Sequence, residues 1–160
     1  MIFVSVGSMM PFDRLVRAVD AWAAAHPATD VLVQLGNGKH LPTHARHVRL
    51  MPPGEYRHLV ETAELFVAHA GMGSIIAAIQ AGRPLLMLPR RAALGEHNND
   101  HQLATVRNVG NRPGLHHVES DTELGAAIDR LRGGGSEAPT PLSPFASPEL
   151  IAAVRGFVQS

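Results

Sequence analysis

Short apolar runs stopped by glycine or proline alternate along this chain with stretches whose apolar residues return every three to four positions. That alternation constrains the fold more than any other feature. Residues 2–7 form an apolar run closed by Gly7, the pattern of a strand buried on both faces. Phe12, Leu15, Val16, Val19, Trp22 and Ala23 then recur at helical spacing, and Asp13 puts negative charge where a helix start favours it. Residues 30–35 predict a second strand, closed by Gly36-Asn37-Gly38. A less apolar third strand, 48–51, ends at Pro52-Pro53-Gly54. A short helix over 55–62, a strand over 65–69, a helix over 74–81 closed by Gly82 and a strand over 84–88 follow. After an irregular loop come a helix over 97–109 and a last one over 121–131, where Ser120 and Glu123 are spaced as a capping box. Strand and helix alternating with little else predict an α/β class, a parallel sheet with helices on both faces.

This domain is expected over residues 1–132. Residues 133–147, rich in Gly, Pro and Ser, read as a linker. Residues 148–160 read as a C-terminal helix, opened by Ser147-Pro148-Glu149 and striped by Leu150, Ile151, Val154 and Val158. Fourteen basic and fourteen acidic residues give no excess charge to follow a nucleic-acid backbone. The absence of cysteine excludes disulfides and thiolate catalysis. No apolar run approaches a membrane span, and the N-terminus lacks the basic start and long apolar stretch of a signal peptide. A cytoplasmic location is the expectation.

In an open parallel sheet, ligands bind beyond the carboxyl ends of the strands. Three segments are expected there. Gly7-Ser8 directly follows the first strand. In His69-Ala70-Gly71-Met72-Gly73-Ser74 a strand ends, two glycines follow and a helix begins. Such glycines let the backbone approach a ligand, and free amides at a helix start attract anions, which suits a diphosphate. A plain tight turn capped by Ser74 fits the same spacing. No Gly-Lys-Ser/Thr follows, so this is not a Walker loop. The third segment, 90–102, is dense in side-chain donors and acceptors. Asp100 and Gln102 suit sugar hydroxyls. Arg90 and Arg91, adjacent to each other and close to them in sequence, suit a carboxylate on a donor sugar, and equally suit solvent, a partner or an acidic lipid. His97 and His101 lie one helical turn apart beside Asp100, but no His-Glu-x-x-His motif or distant third ligand accompanies them, so sugar binding is preferred over metal. His116-His117 alternate across a short strand and read as structural.

His69-Ala70-Gly71-Met72-Gly73-Ser74, then Ala81-Gly82-Arg83-Pro84-Leu85-Leu86-Met87-Leu88-Pro89, then Asn99-Asp100-His101-Gln102 together resemble the C-terminal domain of family 28 glycosyltransferases. The opening Val4-Ser5-Val6-Gly7-Ser8, Pro11-Phe12-Asp13-Arg14-Leu15 and the segment from Arg90 to His97 look like the stand-alone small subunits of two-component UDP-sugar transferases. Those subunits serve exopolysaccharide glucuronosyl transfer and dolichol-linked N-acetylglucosamine transfer. The likeness runs from residue 1 to about residue 110. It implies a Rossmann-like sheet equivalent to one half of a GT-B glycosyltransferase. It implies an inverting transfer from a UDP-sugar to a lipid-linked glycan in polysaccharide synthesis, without a metal or other cofactor. It also implies a second, membrane-associated subunit that holds the acceptor, supplies the general base and recruits this chain to the cytoplasmic face of the membrane. By the same resemblance Gly7, Ser8, His69, Gly71, Gly73 and Ser74 face the diphosphate. The backbone near Pro52 and Pro53 grips uracil, and Asp100 and Gln102 hold the sugar. One departure stands out. Relatives place a ribose-binding glutamate on the helix after the glycines, where this chain has Ala77, which leaves ribose to another group such as Gln80. That departure also keeps open a non-catalytic nucleotide-sugar-binding or regulatory module. The donor sugar stays open among glucuronate, glucose and N-acetylglucosamine.

Overall fold

The computed structural model describes residues 1–134, 137–141, 143 and 145–159; Gly135, Ser136, Leu142 and Pro144 of the expected linker and Ser160 of the terminal segment lie outside the described residues. Six strands run in the order β3-β2-β1-β4-β5-β6. They are β1 (Ile2–Ser5), β2 (Val31–Gln34), β3 (Arg46–Val48), β4 (Leu65–His69), β5 (Leu85–Leu88) and β6 (Leu115–His117). Every pairing is parallel. The helices are α1 (Asp13–Ala25), α2 (Pro53–Thr62), α3 (Met72–Ala81), α4 (His101–Val109), α5 (Leu124–Gly133) and α6 (Pro148–Val158).

The period of two along each strand divides the core. Ile2, Val4, Val31 and Val33 point to one face and pack with Leu15, Val19 and Trp22 of α1 and Leu124 and Ile128 of α5. Phe3, Leu32, Phe66 and Met87 point to the other face and meet Val60 of α2, Ile75 and Ile79 of α3 and Val106 of α4. β1 and β4 are neighbours although β2 and β3 intervene in sequence, so the winding reverses between them. A crevice opens at such a reversal because the connections on either side leave in opposite directions.

Three boundaries differ from expectation, each for a local reason. The third strand is Arg46–Val48, two residues earlier than the apolar pattern suggests, and pairs with Leu32–Gln34. Asp20 sets this register: its carboxylate accepts the amides of Thr43, His44 and Ala45 at 2.8–2.9 Å and anchors the chain just ahead of β3. The helix predicted from residue 97 begins at His101. Residues Ala92–Leu94 instead form a 3-10 turn that Gly95 ends with φ +68°. α3 begins at Met72, two residues before Ser74, with Gly71 as its N-cap. The Ser120–Glu123 capping box is present; it closes a 3-10 turn, Asp121–Glu123, that runs directly into α5.

Part of the expected linker packs onto the domain, for Pro139 is buried and its backbone fills the space where a side chain at Gly114 would stand. The terminal helix opens as its sequence predicts, with the Ser147 hydroxyl accepting the Leu150 amide at 3.3 Å. It has no buried residue, and Leu150, Ile151 and Val154 are 56%, 43% and 54% exposed.

Candidate donor cleft

A cleft of about 670 Å³ opens at the carboxyl ends of β1 and β4, where the winding reverses. The β1–α1 loop contributes Gly7, Ser8, Met9 and Met10 to its wall; Leu50, Met51, Pro53 and Tyr56 stand on one side and Gly71–Ser74 on another. His69, His97, His101, Arg90 and Gln102 complete it. The three segments expected to carry chemistry therefore do meet, together with residues not singled out from the sequence: Gln34, Tyr56, Leu50 and Met51.

His69 ends β4 and is held between two glycines. A Cβ on Gly7 would lie 2.7 Å from His69 Cε1, and one on Gly71 would overlap His69 Nε2. Gly7 also has φ +83°, a conformation that side chains disfavour. Both glycines therefore make room for the imidazole as well as for any ligand. Burial and then the Arg90 cation push the His69 pKa down to about 4, opposed by the Ser5 backbone, with smaller depressions from His97 and His101. The ring is neutral at pH 7. Beside it, the amides of Met72 and Gly73 at the α3 start donate to no acceptor among the described residues. A Cβ on Gly73 would meet nothing within 4 Å, so this edge of the cleft is open. Helix-start amides with space before them form an anion site. Ser74, expected as the cap, is buried; burial raises the pKa of the neighbouring Tyr56 hydroxyl, and the Ser5 and Ser74 hydroxyls partly offset this. Tyr56 itself is set by Phe3 and Phe66, edge-on to both with ring centroids 5.4 and 6.2 Å away.

Both arginines are held by backbone carbonyls. The Arg90 guanidinium is buried and donates to the carbonyls of Val6, Met10, Pro11 and Glu96 at 2.5–3.1 Å, with the Phe12 ring beneath it. It ties the β1–α1 loop to the loop after β5. Burial, partly offset by Glu96, lowers its pKa to about 10, so it remains a cation behind His69. Arg91 lies outside the cleft lining and donates to the Glu119 carbonyl at 2.7 Å. Glu96 completes the loop's scaffold with a bidentate pair to Arg14 at 2.7 and 2.8 Å and the Arg91 amide at 3.0 Å.

Asp100 also lies outside the cleft lining. It is exposed, and its carboxylate accepts the Ala92 amide at 2.8 Å. Gln102 does line the cleft. Its carbonyl accepts the amides of Ala70 and Arg90, both at 3.1 Å, which orients its NH2 as the remaining donor. His97 and His101 stack edge-on 4.4 Å apart beside it, and His97 Nδ1 is buried without a partner. Among the described residues no group of three or more His, Cys, Asp or Glu is arranged to hold a metal ion. Pro53 lines the cleft, whereas Pro52 caps α2 by accepting the Tyr56 amide at 3.0 Å. The peptide groups of Leu50 and Met51, just before it, have no protein partner among the described residues.

A doubly wound parallel sheet with a cleft at its winding reversal is a Rossmann-like fold, and it matches the halves of GT-B glycosyltransferases. Residues 1–141 match the model of the glycosyltransferase family 28 C-terminal domain, and the chain belongs to that family. The match runs some thirty residues past the segments that carry the resemblance. None of the curated proteins matches the chain. Among solved structures, ALG13 superposes with a TM-score of 0.60 at 15% identity, covering 100% of this chain and 97% of ALG13. UDP-glucose:anthocyanidin 3-O-glucosyltransferase, solved with UDP, superposes at 0.62 with 17% identity over 84% of this chain and 31% of its own. The kitacinnamycin glycotransferase gives 0.58 and 20% over 83% and 34%. These likenesses establish the fold. Against the larger enzymes, this chain spans about a third of the length.

Proposed function

We propose that this chain is the donor-binding subunit of a two-component, inverting glycosyltransferase that moves a sugar from a UDP-sugar to a lipid-linked glycan in polysaccharide synthesis. The observation that carries this reading is the pair of unpartnered helix-start amides beside His69, inside a cleft large enough for a nucleotide. Here the diphosphate takes the Met72 and Gly73 amides and His69, under the Gly7-Ser8 loop, with the Arg90 cation behind. Uracil, which presents a donor and two acceptors in its plane, pairs with the free peptide groups at Leu50–Met51 beside Pro53. The Gln102 NH2 and His101 reach the sugar. The sugar contact is thus assigned to Gln102 and His101 rather than to Asp100 and Arg91, which lie outside the cleft lining, or to Arg90, whose guanidinium is taken up by backbone carbonyls.

Inversion at the anomeric carbon needs a general base on the acceptor hydroxyl. No Asp or Glu lines the cleft among the described residues; of its three histidines, His69 is walled in by glycines, and His97 and His101 pack edge-on against each other, His101 also hydrogen-bonding Asn99. We assign the base, the acceptor site and the membrane attachment to a second chain. No helix among the described residues is long and apolar enough to cross a membrane. The exposed apolar residues of α6 are our candidate contact for that chain. A second reading, a non-catalytic nucleotide-sugar module, is favoured by Ala77 alone. Labelled UDP-sugar, lipid-linked acceptor and this chain, with and without the second subunit, separate the two. Product only with both chains supports the transferase; no product with either supports the module, and product from this chain alone overturns the two-component claim.

A further inference from the structure

The diphosphate placement proposed above, on which this inference rests, draws donors from two separate loops. The start of α3 supplies the Met72 and Gly73 amides. In the β1–α1 loop the amides of Ser8, Met9 and Met10 likewise donate to no acceptor among the described residues, and all three residues line the cleft. Consecutive free amides in a turn offer an anion a binding concavity. Of the amides of residues 7–10 only that of Gly7 is bonded, to Ser5 Oγ at 3.2 Å, so the shape of this loop is set from outside it.

Arg90 sets that shape. Its Nη2 donates to the carbonyls of Val6 and Met10, both at 2.7 Å, which bracket Gly7-Ser8-Met9. Its Nη1 donates to the Pro11 carbonyl at 2.5 Å and, within its own loop, to that of Glu96 at 3.1 Å. The main chain of Arg90 is fastened in turn to the other donor loop: its amide and that of Ala70, two residues before Met72, share the Gln102 carbonyl, both at 3.1 Å. Arg90 therefore joins the two loops whose glycines enclose His69. It is 3% exposed, so the four carbonyls depend on it rather than on water. A planar fork of five donors fits such a set, which the three donors of a lysine ammonium do not. Four of the five N–H groups are spent on carbonyls, so the guanidinium acts on a ligand through the loop.

We infer that Arg90 is a positioning residue for the diphosphate: it holds the Ser8–Met10 amides in place beside the α3 amides, so that both sets reach the same anion. Titration of the full chain and of Arg90→Ala with UDP and with uridine, which lacks the phosphates, tests this. The expected result is a loss of UDP affinity of at least about tenfold, the worth of one hydrogen bond to a charged group, with uridine affinity within about twofold of wild type. Guanidinium ion at tens of millimolar, below denaturing levels, is expected to occupy the four-carbonyl site of Arg90→Ala and restore most of the lost UDP affinity, and to leave the wild-type affinity unchanged. UDP affinity unaltered by the substitution, equal losses for UDP and uridine, or no restoration by guanidinium would each overturn the inference. If Arg90→Ala does not fold, Arg90→Lys, which keeps the charge without the fork, is titrated in its place with the same expected split between the two ligands. Wild-type binding of UDP that Arg90→Ala retains in full leaves the donor-cleft reading standing without this inference. A wild-type chain that does not bind UDP removes both.

Discussion

At the scale of single residues, the cleft depends on how His69 is seated. Gly71 would ordinarily be explained by close approach of a phosphate, yet its missing Cβ overlaps the His69 ring. Gly71→Ala is therefore expected to destabilise the fold by ~1–3 kcal/mol through overpacking, and to weaken UDP binding by displacing the imidazole. In a His69→Ala background the same change is expected to cost little stability, which urea unfolding of the four proteins measures; an undiminished cost would locate the clash elsewhere. His69 also makes stability depend on pH. Its folded pKa of about 4 lies below the ordinary 6.5, so the unfolded chain binds a proton more readily. The native state is expected to be fully favoured above pH 6.5 and to lose ~1–2 kcal/mol as the pH falls to 5. His69→Asn is expected to flatten that part of the profile, and urea midpoints between pH 7 and 5 show whether it does.

Among the elements, the α1–β3 connection shows how one carboxylate places a strand. Burial alone would raise the Asp20 pKa, but the amides of Thr43, Ala45 and His44 and the Thr43 hydroxyl bring it down to about 2. A depressed acid stabilises the fold above its unfolded pKa and ceases to do so as the pH drops through the folded one. Asp20→Asn is expected to cost ~2 kcal/mol at pH 7, a difference that shrinks between about pH 4 and 2. Chemical unfolding of the two proteins across that range is the measurement. Asp20 also shows where local pattern runs out. The β1, β2, β4 and β5 cores were legible because apolar runs between glycine and proline stops have few alternative fates. The β3 register was not, since it depends on a carboxylate more than twenty residues away in sequence. His69 and Gly71 were legible as a strand-to-helix turn with room for an anion. Tyr56 was not, because its place in the cleft comes from packing on Phe3 and Phe66. Arg90 and Arg91 were assigned to a ligand by proximity in sequence to Asp100 and Gln102, and Asp100 by its chemistry and the resemblance. Three-dimensional contact instead gives the Arg90 guanidinium four backbone carbonyls, and gives Arg91 and Asp100 backbone partners outside the cleft.

For the whole molecule, one sheet with one cleft corresponds to a third of the larger glycosyltransferases and to nearly all of ALG13. The proposal divides labour accordingly: donor recognition in this chain, acceptor and base in another. Because α6 buries none of its residues, deleting 147–160 is expected to leave UDP affinity and urea stability within ~0.5 kcal/mol of the full chain. The same deletion is expected to abolish co-purification with the second subunit; retained co-purification would place the contact elsewhere. The donor half of this division is tested most directly by calorimetric titration of the isolated chain with UDP in the presence of a chelator. The account predicts saturable one-to-one binding, the same with and without chelator, and weakened by about 1.5–3 kcal/mol in His69→Ala, the value of a hydrogen bond to a charged phosphate. No binding, or binding that the chelator removes, would contradict it.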